Sequence, residues 1–235
     1  PFGYYFIGRP NKMVGLSKSG ALDFVEDFDS VYGIAGITNL RDVNYINGVE
    51  GVNGGFTLGL LLARDYETSK ELWRYETDHC GFYEKPIIED GILYAASRGN
   101  SPQCEVVALN SNDGSVIWNV KIPIGAQKIL ATSTNVIINR GAGLEAFSKA
   151  DGSKMWSFIW ESSGALIQPV YESGYVYMSN HGSVFILDEV TGELVHTAPS
   201  PGGYIWHLTV NANRLFVQTS RQLIAYEPWH LRGDQ

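Results

Sequence analysis

Short runs of apolar residues, many alternating with polar residues, recur along the whole chain. Each run is rich in Val, Ile or Tyr, spans about four to eight residues, and is bounded by Gly, Asn, Asp or Ser, which is typical of β-strands joined by turns. No window carries the helical apolar period together with the capping residues that predict an amphipathic helix. The pattern therefore predicts an all-β fold.

An internal repeat organises these runs. Residues 108–118 and 146–156, which begin 38 positions apart, both read Ala, an apolar residue, four turn-type residues, Gly, and Trp four positions after the Gly. Residues 186–196 repeat the frame with His196 in the aromatic position, and residues 63–73 keep the Trp but lack the Gly. Repeats of this length are typical of solenoids and propellers.

A second half-repeat precedes these segments, since residues 85–94 match residues 168–177. Each unit then holds four short strands, and four strands in a unit of about 40 residues predict one blade of a β-propeller. We expect one domain over residues 1–235, with about six blades at about 1–30, 31–78, 79–123, 124–162, 163–200 and 201–235. Three strands are expected in the first unit and three in the last. The alternative is that these are some of the blades of a larger ring.

Residues 33–62 fit the repeat less well, because Gly51, Gly54 and Gly55 suggest a long loop in the second unit.

The repeated residues have a physical explanation. A four-stranded blade buries neither face alone, so neighbouring blades must cover one another. A Trp supplies a large buried surface and an N–H that can reach a carbonyl of the next blade, a small Ala leaves room for the ring, and the turn Gly supplies a positive φ. The predicted docking residues are Ala63, Trp73, Ala108, Gly114, Trp118, Ala146, Gly152, Trp156, Asp188, Thr191 and Gly192.

These residues resemble the repeat of the PQQ-type (quinoprotein-like) propeller family, whose docking motif runs Ala-x-Asp-x-x-Thr-Gly-x-x-x-Trp. The resemblance covers about residues 60–200 and implies the propeller fold. A resemblance to the alcohol dehydrogenases of this family would imply a quinone held by aromatic side chains and often by a vicinal Cys–Cys disulfide. It would also imply a Ca²⁺ ion and an Asp base nearby. The cysteines here are 24 residues apart and no ion-binding set matches, so we expect neither cofactor nor metal. The chain is more similar to the non-catalytic branch, which includes the bacterial outer-membrane-assembly lipoprotein propeller.

Composition narrows the classes of partner. Hydrophobic residues make up 44% of the chain and charged residues 18%, which excludes a disordered chain. The net charge of −8 argues against nucleic acid and against an anionic membrane surface. No apolar run is long enough for a transmembrane helix. Cys80 and Cys104 are expected to be two ordinary thiols, with a single bridge as the alternative if the chain is exported.

The sequence lacks a recognisable catalytic set. His79 beside Cys80 is expected to lie in an ordinary loop, and His196 is expected to pack in its Trp position. The acidic residues are dispersed over turns and strand edges, and neither a nucleophile elbow nor a phosphate loop nor a zinc motif is present. Trp160, Tyr204 and Trp206 fall outside the docking positions, so they are the candidates for partner contact.

The sequence thus predicts a non-enzymatic propeller that binds another protein, as a scaffold or adaptor. One alternative is a cytosolic antagonist that neutralises a basic partner, since the chain is acidic. A carbohydrate-binding propeller and a quinone-dependent dehydrogenase remnant are the others. The chain starts at Pro1 with a strand-like run and shows none of the features of a signal peptide, so we expect either that an upstream segment was removed or that the sequence is trimmed. The family resemblance favours a periplasmic or cell-surface location.

Overall fold

The structure is a computed structural model that describes residues 3–6, 12–16, 22–27, 32–52, 56–68, 70–99, 101–123, 125–160, 167–180, 182–211 and 214–227. The described residues form β-strands, turns and loops, and none of them lies in a helix. The strands are β1 (Gly3–Phe6), β2 (Lys12–Leu16), β3 (Leu22–Asp27), β4 (Tyr32–Leu40), β5 (Val43–Val52), β6 (Phe56–Asp65), β7 (Glu71–Thr77), β8 (Ile87–Glu89), β9 (Ile92–Ala96), β10 (Cys104–Asn110), β11 (Val116–Ile122), β12 (Lys128–Ala131), β13 (Asn135–Asn139), β14 (Gly143–Ser148), β15 (Lys154–Ile159), β16 (Val170–Glu172), β17 (Tyr175–Ser179), β18 (Ser183–Asp188), β19 (Leu194–Pro199), β20 (Ile205–Asn211), β21 (Arg214–Thr219) and β22 (Leu223–Tyr226).

These strands form six antiparallel sheets, each of them a meander in chain order. Sheet 1 is β1–β3, sheet 2 is β4–β7, sheet 3 is β8–β11, sheet 4 is β12–β15, sheet 5 is β16–β19 and sheet 6 is β20–β22. The first strand of sheet 4 lies beside β8 and β9 of sheet 3 and beside β16, and β20 lies beside β16 and β17. The all-β prediction is confirmed, and the fold is a β-propeller of about six blades. The single domain over residues 1–235 stays a prediction.

The burial of the strands follows from stacking of the sheets. In β10 and β13 nearly every side chain is buried, because both faces of the sheet are covered. The fourth strands β7, β11 and β15 are mostly exposed and bury mainly their third residue, which is a Trp in each. The hydrophobic clusters accordingly run across the sheet boundaries, with Trp156 of sheet 4 in one cluster with Val176 of sheet 5 and Leu208 of sheet 6. The core therefore lies between the blades.

The second sheet differs from the expectation of a long loop. Gly51 lies within β5, opposite Thr57 of β6, and these two strands are each 10 residues long. The expected loop is therefore wrong at Gly51, because the pairing of two long strands continues through it. Gly54 and Gly55 lie outside the described residues.

The two cysteines form a disulfide bond, so the expectation of two ordinary thiols is wrong. Cys80 follows β7 in the segment that joins sheet 2 to sheet 3, and Cys104 begins β10. Their Cα atoms are 5.3 Å apart, a separation at which a disulfide fits. Both side chains are fully buried, and proximity of this kind is invisible to sequence spacing alone.

Candidate binding surface

Three tryptophans contact the neighbouring sheet in the same way. Trp73, Trp118 and Trp156 are each 7–8% exposed. Each Nε1 donates a hydrogen bond to a backbone carbonyl in the third–fourth turn of the next sheet, at 2.9 Å to Ser111, 2.9 Å to Lys149 and 2.8 Å to Glu189 respectively. We call these contacts the tryptophan locks. Each one fixes the position of one blade relative to the next.

The turn glycines lie directly against these rings. Gly114, Gly152 and Gly192 have φ values of 72°, 73° and 72°. A Cβ at Gly114 would lie 2.7 Å from Trp73, and one at Gly152 would lie 2.7 Å from Trp118. Both the backbone conformation and the space at these positions thus exclude a side chain.

The other predicted docking residues lie around the same contacts. Ala63, Ala108 and Ala146 are fully buried and pair across the sheet with Trp73, Trp118 and Trp156. Asp188 shapes its turn, since its Oδ1 accepts hydrogen bonds from the amide and the hydroxyl of Thr191 at 2.8 Å and 3.0 Å.

The residue that accepts each indole N–H was not predicted from the sequence. The accepting residues are Ser111, Lys149 and Glu189, whose side chains differ. They share only their place immediately after the third strand of their sheet. The side chains of Lys149 and Glu189 reach back to the preceding sheet: Lys149 Nζ lies 2.6 Å from the carboxylate of Glu89. Aligning the turns on their Trp-to-turn spacing could have located this position.

Glu189 is the most enclosed of these contacts, at 2% exposure. Its carboxylate accepts hydrogen bonds from the hydroxyl of Ser133 at 2.8 Å and from the amide of Thr134 at 2.9 Å. Burial alone would raise the pKa of Glu189, but hydrogen bonds from Thr132, Thr134 and Ser133 outweigh it and hold the pKa below its ordinary value. The ionised carboxylate is therefore part of the contact between sheets 4 and 5.

This geometry predicts a pH-dependent stability. The folded pKa of Glu189 is lowered, so its contribution is complete above the unfolded pKa of about 4.3 and is lost as the pH falls through the folded value. We expect Glu189→Gln to be destabilised relative to the wild type above about pH 5, and the difference to shrink below about pH 4. Denaturant unfolding of both proteins from pH 3 to pH 7 measures this. A difference that does not change with pH would contradict it.

The segments that join consecutive sheets lie at one end of the blades, together with the loops between second and third strands. Backbone hydrogen bonds link the two sets: Ala126 donates to Ser97 at 3.1 Å, Ser200 to Gly182 at 2.8 Å and Ser220 to Tyr204 at 2.9 Å. We call this end the connector face. Its described parts are residues 78–86, 97–99, 101–103, 123, 125–127, 140–142, 160, 167–169, 180, 182, 200–204 and 220–222. Trp206, the second residue of β20, lies next to it in the chain.

The disulfide holds the first of these connectors. Beside Cys80, Gly81 and Arg98 exchange backbone hydrogen bonds at 3.0 Å and 2.8 Å. The side chain of Asn47 in sheet 2 donates to the carbonyl of Phe82 at 2.9 Å. The connector is thus fixed to sheet 2 and to sheet 3, which makes this part of the connector face rigid.

The structure separates the three predicted contact residues. Tyr204 and Trp206 are 69% and 67% exposed, and the backbone of Tyr204 is held by Ser220 through two hydrogen bonds, at 2.9 Å and 3.3 Å. Trp160 is only 5% exposed and stacks on Phe185 with ring centroids 6.1 Å apart. The prediction that Trp160 contacts a partner is wrong, because its ring packs in the core of sheets 4 and 5.

Sequence reasoning did not find a further exposed aromatic on the connector face. Tyr83 is 41% exposed, and the guanidinium of Arg98 lies 5.7 Å from the centre of its ring. Tyr and Arg are frequent anchors of protein interfaces. The sequence feature that could have indicated Tyr83 is the pair of aromatic residues, Phe82 and Tyr83, in the connector after Cys80, which contains no Trp.

The opposite end of the blades is acidic, and its aspartate carboxylates accept hydrogen bonds within their own turns. Asp65 ends the third strand of its sheet, and Asp113 and Asp151 lie within their third–fourth turns. The three carboxylates accept hydrogen bonds from Thr68, Ser115 and Ser153 respectively. These bonds lower the pKa of all three carboxyls. The lowered pKa values of these three carboxyls are therefore explained by the hydrogen bonds of the turns themselves.

Groups that could carry chemistry are scattered. Within the described residues no three His, Cys, Asp or Glu side chains converge as a metal site. His79 is exposed in its loop beside the disulfide, and half-buried His196 pairs with Ile186 across sheet 5. In the described part of the chain no helix is long and apolar enough to span a membrane.

Known proteins share this architecture. The sequence profile of the outer membrane protein assembly factor BamB matches residues 56–143 and 140–228. The solved BamB of Moraxella catarrhalis is 19% identical, with a TM-score of 0.61, over 92% of this chain and 69% of that chain. The quinohemoprotein alcohol dehydrogenase of Comamonas testosteroni is 10% identical, with a TM-score of 0.71, over 92% of this chain and 55% of the enzyme. No curated protein sequence matches the chain significantly.

The structural matches, at these identities, show the fold alone. The profile match is different in kind, because it covers well over half of the chain and spans the described locks from Trp73 to Glu189. It also accords with the PQQ-type repeat read from the docking residues. The chain belongs to the family of the outer membrane protein assembly factor BamB, a family of PQQ-type propellers.

Proposed function

We propose that this propeller is a non-enzymatic scaffold that binds another protein through the connector face. The observation that carries the proposal is the pair of exposed aromatics, Tyr204 and Trp206, of which Tyr204 lies on backbone held by two hydrogen bonds to Ser220. Tyr and Trp side chains have few rotatable bonds and therefore lose little entropy on binding, so they are efficient anchors for a protein partner. A match to the BamB family supports a protein-binding role at this coarse level.

The titratable groups support a structural rather than a catalytic use. Catalytic groups often have pKa values that are shifted by burial and by charged neighbours in a cleft. Here Asp65, Asp113 and Asp151 are shifted by their own turns, and Glu189 by the contact between sheets 4 and 5. The pKa of Tyr75 is raised by burial and by its hydrogen bond to Glu105, 2.5 Å away, which also holds Lys121.

The disulfide supports an oxidising compartment, such as a periplasm or a cell surface. Disulfides persist there and are rare in the cytosol, where thiols are kept reduced. The same bond argues against the cytosolic antagonist. We include in this proposal a periplasmic or cell-surface location and a role in outer-membrane assembly, which the match to the family of the outer membrane protein assembly factor BamB supports.

The proposal predicts that binding depends on the two exposed aromatics. We expect Tyr204→Ser/Trp206→Ser to lose about tenfold or more in affinity, since truncating an interface anchor costs about 2 kcal/mol or more. Affinity capture from the native source, quantified by mass spectrometry, compares this variant with the wild type. Val116→Ser is the matched control, because Val116 is 50% exposed on β11 and lies away from the connector face.

The outcome separates the alternatives. Loss of one stoichiometric protein with the double variant but not with Val116→Ser supports the scaffold. Equal capture by all three baits contradicts the connector face as the binding surface. Capture of glycans or a quinone in place of a protein would favour the carbohydrate-binding or the cofactor-binding alternative.

A further inference from the structure

The tryptophan locks stop at the boundary between sheets 5 and 6. In sheet 4, Ile137, Ala146 and Trp156 pair in one row across β13, β14 and β15. The same row in sheet 5 is Tyr177, Ile186 and His196. The position that holds an indole in three preceding sheets therefore carries an imidazole at this boundary.

A cavity of about 310 Å³ lies at this place. Its walls include Tyr177, Ile186 and His196 of sheet 5 and Leu215, Tyr226 and Glu227 of sheet 6. Most of its lining is apolar, with a few polar groups at its margins. Ligand pockets in proteins begin at about this volume and share this composition.

Comparison with the preceding repeat indicates which chemical group the cavity fits. Leu215 pairs with Tyr226 in sheet 6 as Val176 pairs with Leu187 in sheet 5. Val176 and Leu187 belong to the cluster that packs around Trp156. The wall formed by Leu215 and Tyr226 is thus the counterpart of two residues in the hydrophobic cluster that contains the Trp156 indole.

The polar group at the rim also has a counterpart. Glu227 follows Tyr226 as Asp188 follows Leu187, one position before the carbonyl of Glu189 that accepts the N–H of Trp156. The carboxylate of Glu227 lies 3.7 Å from Arg214 Nη1, and 58% of the Glu227 side chain is exposed, so it remains accessible to a donor. An acceptor is therefore near the end of the cavity where an indole N–H would point.

We propose that the cavity between sheets 5 and 6, lined by His196, Leu215 and Tyr226, binds a planar aromatic group of indole size. The group lies between Ile186 and Leu215, replacing the lock that this boundary lacks, and its N–H donates to Glu227. Ser200 and Pro201 of the connector face line one side of the cavity, but Tyr204 and Trp206 do not line it, so the site can be tested independently of the proposed function.

The direct test is a titration of the folded protein with indole, followed by methyl NMR. We expect saturable shifts of the methyl groups of Leu215, Val217 and Ile186, with Leu60 and Leu62 of sheet 2 unmoved. Methyl groups that do not shift, or shifts confined to sheet 2, would overturn the proposal. This test needs no variant, so it stands even if a substituted protein fails to fold.

A variant that fills the cavity provides the second test. Ile186→Ala/His196→Trp rebuilds the Ala–Trp pair of sheet 4, and we expect its affinity for indole to fall about tenfold or more while its melting temperature rises. Leu194→Trp is the matched control, because it adds an indole on the same strand at a residue that is 47% exposed. The control should bind indole as the wild type does. Undiminished binding by the filled variant would contradict the proposal.

N-acetyl-tryptophanamide distinguishes two sources of the aromatic group. It carries backbone amides on both sides of the indole, so its binding with the same methyl shifts indicates that a tryptophan side chain of a partner can enter. Binding of indole but not of this amide indicates a free small molecule. Failure of both probes to bind overturns the proposal.

Discussion

Replacing Trp156 with Ala is expected to lower the free energy of unfolding by about 3–5 kcal/mol, as for other buried aromatic residues. The ring is 8% exposed, packs against sheet 5 and donates its N–H to Glu189 at 2.8 Å. Its removal leaves a cavity between two blades and takes away one of the two hydrogen bonds to the Glu189 carbonyl, which also accepts from the side-chain amide of Asn135 at 2.9 Å. Trp118→Ala should cost a similar amount, because Trp118 makes the same contact with Lys149. Denaturant unfolding followed by circular dichroism measures both.

Two further variants separate packing from hydrogen bonding. Met155 precedes Trp156 on β15 and is 50% exposed, so Met155→Ala should cost less than about 0.5 kcal/mol. Trp156→Phe keeps a ring but loses the N–H, and it should fall between the wild type and Trp156→Ala. A loss below about 1 kcal/mol for Trp156→Ala would show that the ring does not hold the blades together.

Removing the disulfide is expected to cost about 2–4 kcal/mol. The bond closes a chain separation of 24 residues and fixes the connector between sheets 2 and 3. Opening it enlarges the unfolded ensemble and also leaves the Gly81–Arg98 pairing without its covalent support.

Cys80→Ser/Cys104→Ser, unfolded in denaturant beside the oxidised wild type, measures this cost. The wild type with added reductant provides the control, since it should lose the same stability without any substitution. Equal stability of the oxidised and reduced wild type would contradict the stated role of the bond.

The repeat made most of the architecture predictable. The same Ala, Gly and Trp spacing recurs because each blade must pack on the next, so sequence and packing carry the same period. Ala108 and Trp118 even pair directly across β10 and β11. By contrast, Gly51 looked like part of a loop, because sequence cannot show the partner strand that continues its pairing.

The candidate surface was predictable only in part. Tyr204 and Trp206 stood outside the repeat and are exposed, but Trp160 stood outside it too and is buried. The difference is tertiary: Trp160 stacks on Phe185, which lies 25 positions further along the chain. The Cys80–Cys104 bond and the pairing of Tyr83 with Arg98 depend likewise on contacts between neighbouring sheets.

We propose that a protein partner binds at Tyr204 on the connector face and at Trp206 beside it. The most direct measurement places a photo-crosslinking amino acid at position 204, and separately at position 116, and irradiates the protein in its native source. We expect one partner protein to be crosslinked from position 204 and not from position 116. Crosslinking of that partner only from position 116, or of no protein from position 204, would contradict it.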